Sequence, residues 1–136
     1  MAGYSGTPLP KKLGIKEGHR VYLAGPPKGF EDLLVPMPPD VTVQTTVQGA
    51  AKLDVILLFA KSKAMVAQRF APLVDRMQSD AGLWVCWPKE SSGVETDLDD
   101  SFVREYGLST GLVDNKVCAV DETWSGLRFV IRVENR

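Results

Sequence analysis

The sequence predicts an α/β fold around a mostly parallel six-stranded sheet with an antiparallel last strand, and three observations lead there. Two apolar runs, Val21 to Ala24 and LDVILLF over residues 53–59, lack the alternation of a half-exposed strand and read as strands buried on both faces. Helical stretches separate the strands, which calls for parallel crossovers. Only a short link, Asp121 to Gly126, joins the last two strands, so the sixth should run antiparallel. The expected order is 2-1-3-4-6-5, with helices on both faces. That is a small Rossmann-like three-layer sandwich, doubly wound about the point between strands 1 and 3.

Taken in order, residues 1–19 form a leader packed on the sheet. Thr7 and Pro8 read as an N-cap and first helical residue, so PLPKKL makes one short turn before Gly14. Strand 1 spans Arg20 to Ala24 and breaks at Gly25-Pro26-Pro27-Lys28-Gly29. A short helix over residues 30–34 ends at Pro36, Pro38 and Pro39, since proline cannot donate to the backbone ladder. Val41 to Thr45 alternates as an edge strand does, and strand 3 is Leu53 to Phe59.

Ser62 is placed to cap a helix from Lys63 to about Gln78, with Val66, Phe70, Leu73, Val74 and Met77 on one stripe. Pro72 interrupts the stripe, which predicts a kink or break there. Asp80-Ala81-Gly82 should turn the chain into strand 4, Leu83 to Trp87. Thr96 and Asp99 resemble a capping box opening a third helix, with Leu98, Phe102 and Tyr106 inward and Gly107 or Gly111 as the stop. Leu112 to Val120 and Leu127 to Val133 complete the sheet, the last with a partly solvated face.

Length and composition bound the function. The 136 residues fit one domain and bury roughly two-thirds of the unfolded surface, enough for a core without staples. A formal net charge of −1 gives no global steering toward nucleic acid or anionic membrane, while leaving room for a local basic patch. No apolar run approaches the ~20 residues of a membrane helix. The N-terminus MAGYSGTPLP has no basic and apolar signal pattern, and Ala2 argues against myristoylation, so the expected location is the cytoplasm. Cys86 and Cys118 sit in apolar runs as buried thiols or, alternatively, as a redox pair, although their spacing is not CxxC. With His19 the only histidine, no zinc ligand set is expected.

Ligands of open α/β sheets bind outside the carboxyl ends of the strands, at the switch in strand order. The loops expected there carry Gly25, Lys28, Gly29, Lys61, Ser62, Lys89, Ser91, Ser92, Asp121, Glu122 and Ser125. Three ammonium groups beside helix N-termini suit a phosphate or carboxylate. Solvated loop lysines are the plainer alternative. Trp87 and Trp124 either pack together as a lid on the sheet end or form an aromatic wall for a flat ligand. Asp121 and Glu122 serve a turn, or hold a ligand hydroxyl or Lys89. No catalytic residue is assigned.

Two resemblances rest on these residues. Over nearly the whole chain, GYSGTPLPKKLGIKEG (3–18), WPKESSG (87–93), TDL (96–98) and GLVDNKVCAVDETWSGLRFVIR (111–132) resemble a bacterial family of uncharacterised small proteins common in actinobacteria. That likeness implies no activity. More distantly, LGIKEGHRVYLAG, the apolar fourth strand after DAG and the antiparallel last strand resemble a shortened S-adenosylmethionine-dependent methyltransferase. This second likeness implies a glycine-rich cofactor loop after strand 1 and an acidic residue ending strand 2. Here the loop carries Pro26 and Pro27, which remove two backbone donors, and strand 2 ends in Gln44 and Thr45.

The reading that results is a non-catalytic Rossmann-like module binding a small anionic molecule or a protein partner at the carboxyl edge. A reduced methyltransferase-like enzyme in the same crevice is one alternative. A regulatory or structural subunit pairing through an edge strand is the other.

Overall fold

The structure, a computed structural model, describes residues 7–46, 49 and 51–136. The first six residues of the leader lie outside them. Six strands form one sheet in the order β2-β1-β3-β4-β6-β5. They are β1 (Arg20–Ala24), β2 (Thr42–Gln44), β3 (Leu53–Phe59), β4 (Met77–Pro88), β5 (Val113–Ala119) and β6 (Trp124–Val130). β1 pairs parallel with β2 and β3, and β3 with β4; β6 runs antiparallel to both neighbours. The order and directions are those the sequence predicts.

Alternation within the central strands divides the core in two. On one face Tyr22, Ile56, Leu58, Leu83, Val85 and Phe129 pack beneath the helices α2 (Lys63–Val74) and α3 (Asp100–Ser109). On the other, Val21, Leu23, Val55, Leu57, Phe59 and Trp84 are covered by Leu13 and Ile15 of the leader and by Phe30. The leader contributes one short helix, α1 (Leu9–Lys12), and Phe30–Leu33 is a single turn of 3-10 helix. This second covering layer is thin, so one anchor matters: the Trp84 indole N–H donates to the Leu13 carbonyl at 3.1 Å in a fully buried setting. A buried indole needs such a partner.

Several local expectations need correction. The cap of α1 is Pro8 and not Thr7, a shift of one residue. α2 continues through Pro72 and stops two residues beyond, at Val74, short of Gln78. So near the end of a helix, proline forfeits a single backbone bond. Met77 instead opens β4, and Asp80-Ala81-Gly82 lies within that strand. The turn signal there marks a jump in register, from Leu53 opposite Met77 to Val55 opposite Gly82. Asp99 caps α3, accepting from the Phe102 N–H at 2.8 Å, while the Thr96 hydroxyl accepts from the Leu98 N–H outside the helix.

The buried face of α3 is Val103 and Gly107, with Phe102 and Tyr106 packed partly against it. Gly107 does not end the helix. It admits the Phe129 ring, which a Cβ there would meet at 2.0 Å. β6 starts earlier than expected, at Trp124, and stops at Val130; Ser125 and Arg128 are half-buried, while Val130 is buried.

Candidate functional site

The carboxyl ends of β1, β3, β4 and β5 share one edge of the sheet, as the parallel order requires. The loop after β4 and the β5–β6 link meet there: the Lys89 N–H donates to the Thr123 carbonyl at 2.8 Å, and Pro88 pairs with Trp124. The loop after β3 joins the approach to α3. Thr96 Oγ1 donates to the Lys61 carbonyl at 2.6 Å, and Asp97 accepts from the Lys63 N–H at 2.8 Å. The predicted loops are thus neighbours.

Three of the predicted polar side chains, Ser62, Ser92 and Asp121, are engaged with backbone. Ser62 caps α2, accepting from the Met65 N–H at 3.1 Å. Ser92 donates to the Lys89 carbonyl at 2.6 Å and accepts from the Val94 N–H at 3.1 Å. Asp121 Oδ1 accepts from the N–H groups of Thr123 and Trp124 at 2.8 and 2.7 Å, an Asx-type turn. The helix N-termini expected to receive an anion already hold side-chain oxygens, Ser62 and Asp97 at α2 and Asp99 at α3. Gly25, Lys28, Gly29, Lys61, Ser91 and Glu122 are exposed, and Lys89 and Ser125 half-buried.

The two tryptophans neither stack on one another nor wall a pocket together. Trp87 belongs to the core under α2 and α3, Trp124 to the leader-side core, each 6% exposed. The Trp124 ring meets Phe59 edge-on at 5.2 Å, and Phe59 meets Phe30 at 4.8 Å. The antiparallel register decides this. Trp87 lies opposite Ser125 and Pro88 opposite Trp124, so the indoles take opposite faces.

The cysteines also resolve. Gly126 of β6 is paired with Cys86 on one side and Cys118 on the other. Two strand spacings separate their Cα atoms by about 10 Å, beyond the roughly 7 Å a disulfide spans. The redox-pair alternative therefore falls. Burial pushes the Cys86 thiol well above its ordinary pKa, with Cys118 and Asp121 adding to the shift; burial raises Cys118 as well, against Lys12, Lys116 and Lys89.

No family model and no curated protein matches the chain. Among solved structures it is similar to one described as a SAM-dependent methyltransferase from Aquifex aeolicus, at 17% identity and a TM-score of 0.51, covering 88% of this chain and 85% of that one. The likeness is one of fold. LepI in complex with SAM aligns at 11% identity and a TM-score of 0.47, over 93% of this chain and 47% of LepI.

The methyltransferase-type fold raises the question of its cofactor. Pro26 and Pro27 offer no N–H after β1, and the next element is a 3-10 helix of 4 residues with no side-chain cap. β2 ends in Gln44, whose amide donates to the Thr46 carbonyl at 3.0 Å, where a carboxylate would hold ribose hydroxyls. These residues do not fit S-adenosylmethionine held in the manner the fold implies. Among the described residues, no group of three or more His, Cys, Asp and Glu is placed for a metal ion, and no helix is long and apolar enough to cross a membrane.

Sequence reasoning passes over a different cluster, at the amino ends of the strands, where Lys12, Lys16, His19, Lys116 and Arg128 line one cavity. The signal that points to it is a register, Lys116 opposite Arg128, which no linear motif displays.

Proposed function

We propose that this chain is a non-catalytic binding module of methyltransferase-type fold that takes a small anionic ligand at the carboxyl edge of its sheet. The observation that carries the reading is the segment after β1, where two prolines and a single 3-10 turn stand in place of a donor-rich loop and a long helix. Such a segment supplies two fewer backbone donors and no substantial dipole to a cofactor. Support for an anion comes from Lys28 and Lys61, exposed on that edge, and from half-buried Lys89. The absence of catalysis is supported by Ser62, Ser92 and Asp121, each committed to backbone groups.

Isothermal titration with S-adenosylmethionine should give no heat at high micromolar protein. Measurable binding would instead favour the reduced methyltransferase. A thermal-shift series of nucleotides, phosphates and carboxylates should contain a stabilising anion whose effect Lys89→Ala removes. A second reading, a subunit pairing through the free edge of β5, is favoured by Val117, 55% exposed on that edge strand. Sedimentation of a monomer at every concentration would remove self-pairing. The kinship with the actinobacterial family is likewise a proposal, resting on the strings at 3–18, 87–93, 96–98 and 111–132.

A further inference from the structure

At the opposite end of the sheet, on the leader side, lies a cavity of about 270 Å³. Its floor is set by strand register. Trp84 pairs with Arg128 and Arg128 with Lys116, so these three side chains share one face across β4, β6 and β5. The Trp84–Leu13 hydrogen bond holds the leader above them, which brings Lys12 and Lys16 to the wall. The Lys12 ammonium itself donates to the Ala119 carbonyl at 3.0 Å, at the carboxyl end of β5, so its charge is spent away from this cavity.

Charge at this cavity runs against that of the chain. Lys16, Lys116 and Arg128 face two carboxylates, Asp54 and Asp80, a surplus of one positive charge where the whole protein has a formal net charge of −1. Asp54 is committed, its Oδ2 accepting from the Arg20 N–H at 2.8 Å. His19 Nδ1 accepts from the Lys16 N–H at 3.1 Å, which places the proton of the neutral ring on Nε2 as a further donor. A concave surface with a surplus of one sign favours a small counter-ion.

Arg128 is the informative residue. Its guanidinium rests on Gly82, where a Cβ would lie 2.3 Å from Nε and 2.8 Å from Cζ. Nε is buried without a hydrogen-bond partner, and Arg128 forms no ion pair within 4.0 Å among the described residues. Nε itself is sealed against Gly82, so an acceptor from outside the chain would be met by the terminal guanidinium nitrogens, which no carboxylate of the described residues pairs. Burial, together with Arg136, lowers the Arg128 pKa against the opposing effect of Asp80. Arginine nonetheless stays charged.

We propose that this cavity binds a small molecule carrying a phosphate or pyrophosphate group, with Arg128 and Lys116 beneath it and Lys16 and His19 at its sides. The planar fork of Arg128 suits phosphate oxygens, with the Lys116 and Lys16 ammonium groups beside it. A volume of about 270 Å³ lies just under the roughly 300–1,000 Å³ of sites for drug-sized ligands. The ligand is therefore a compact phosphate ester, smaller than a dinucleotide. This site is separate from the carboxyl edge and does not rest on the reading given for it.

The test is thermal shift and isothermal titration of the full chain with inorganic phosphate and pyrophosphate, against sodium chloride at matched ionic strength. Pyrophosphate should raise Tm beyond the chloride control. Arg128→Met, which keeps the apolar stem, should weaken binding roughly tenfold or more. Gly82→Ala, which pushes the guanidinium off its seat, should do the same without removing any charge. Lys116→Ala, at an exposed strand position, keeps the test readable if Arg128→Met fails to fold. Lys89→Ala should leave pyrophosphate binding intact. A shift no larger than that of chloride, or one that survives both Gly82→Ala and Lys116→Ala, overturns the proposal. So does a shift lost only in Lys89→Ala, which would instead place the anion at the carboxyl edge.

Discussion

The two ends of this sheet treat their polar groups differently. At the carboxyl edge, Ser62, Ser92, Asp97, Asp99 and Asp121 all accept from nearby backbone N–H groups, and the loops are closed upon themselves. At the amino edge, cations gather around a cavity and one of them, Arg128, buries an Nε with no partner. A polar residue in the expected place is thus no measure of a site. What counts is whether its bonding capacity is already used by the fold. By that measure both edges keep cations without a hydrogen bond or ion pair among the described residues, Lys28, Lys61 and Lys89 at the carboxyl edge and Lys116 and Arg128 at the amino edge.

The contrast is most exposed to attack through Trp84. Trp84→Ala removes a fully buried indole and the bond that holds the leader, and should cost about 3–5 kcal/mol in urea unfolding. Pyrophosphate binding should vanish with it under conditions where the protein still folds. Next comes Asp121→Ala, which strands two backbone donors of the β5–β6 link and should cost about 2 kcal/mol. A loss below about 0.5 kcal/mol would mean that this carboxylate is not structural, reopening it as a ligand group.

Between the two ends lies Cys86, whose thiol pKa is raised by burial. Because the folded value exceeds the unfolded one, its contribution is complete below the ordinary pKa of about 8.5 and is lost as pH rises above it. Stability should therefore fall with a slope approaching 1.4 kcal/mol per pH unit for this one group, and Cys86→Ala should flatten the alkaline limb. The smallest effects belong to Lys28→Ala and Lys61→Ala. Both side chains are exposed, and each change should alter stability by less than about 0.5 kcal/mol. A larger cost would show that the rim lysines are bonded into the fold.

The expectations that fail share a cause. Helix α2 is legible from the stripe Val66, Phe70 and Leu73, but its end is not: Met77 continues the stripe at helical spacing and yet begins β4. An apolar residue one or two positions past a helix serves the same core from either conformation, so periodicity is blind to the boundary. Gly107 reads as a helix stop because glycine often is one. It lies inside α3 for the sake of Phe129, a residue 22 positions later. The tryptophan pair fails for a related reason. Which face an indole takes depends on cross-strand register, and a shift of one residue reverses it.

The sheet is legible in the chain without any structure: the uninterrupted apolar runs of β1 and β3 require burial on both faces, and the helices between strands require parallel crossovers. Those are local properties, written in runs of neighbouring residues. Which polar groups are left over is a tertiary outcome. Arg128 and Lys116 are distant in the chain from Lys16 and His19, and their meeting around one cavity comes from strand pairing and from a leader held down by one tryptophan. Hydrogen-bond satisfaction is a sum over contacts that linear spacing does not record.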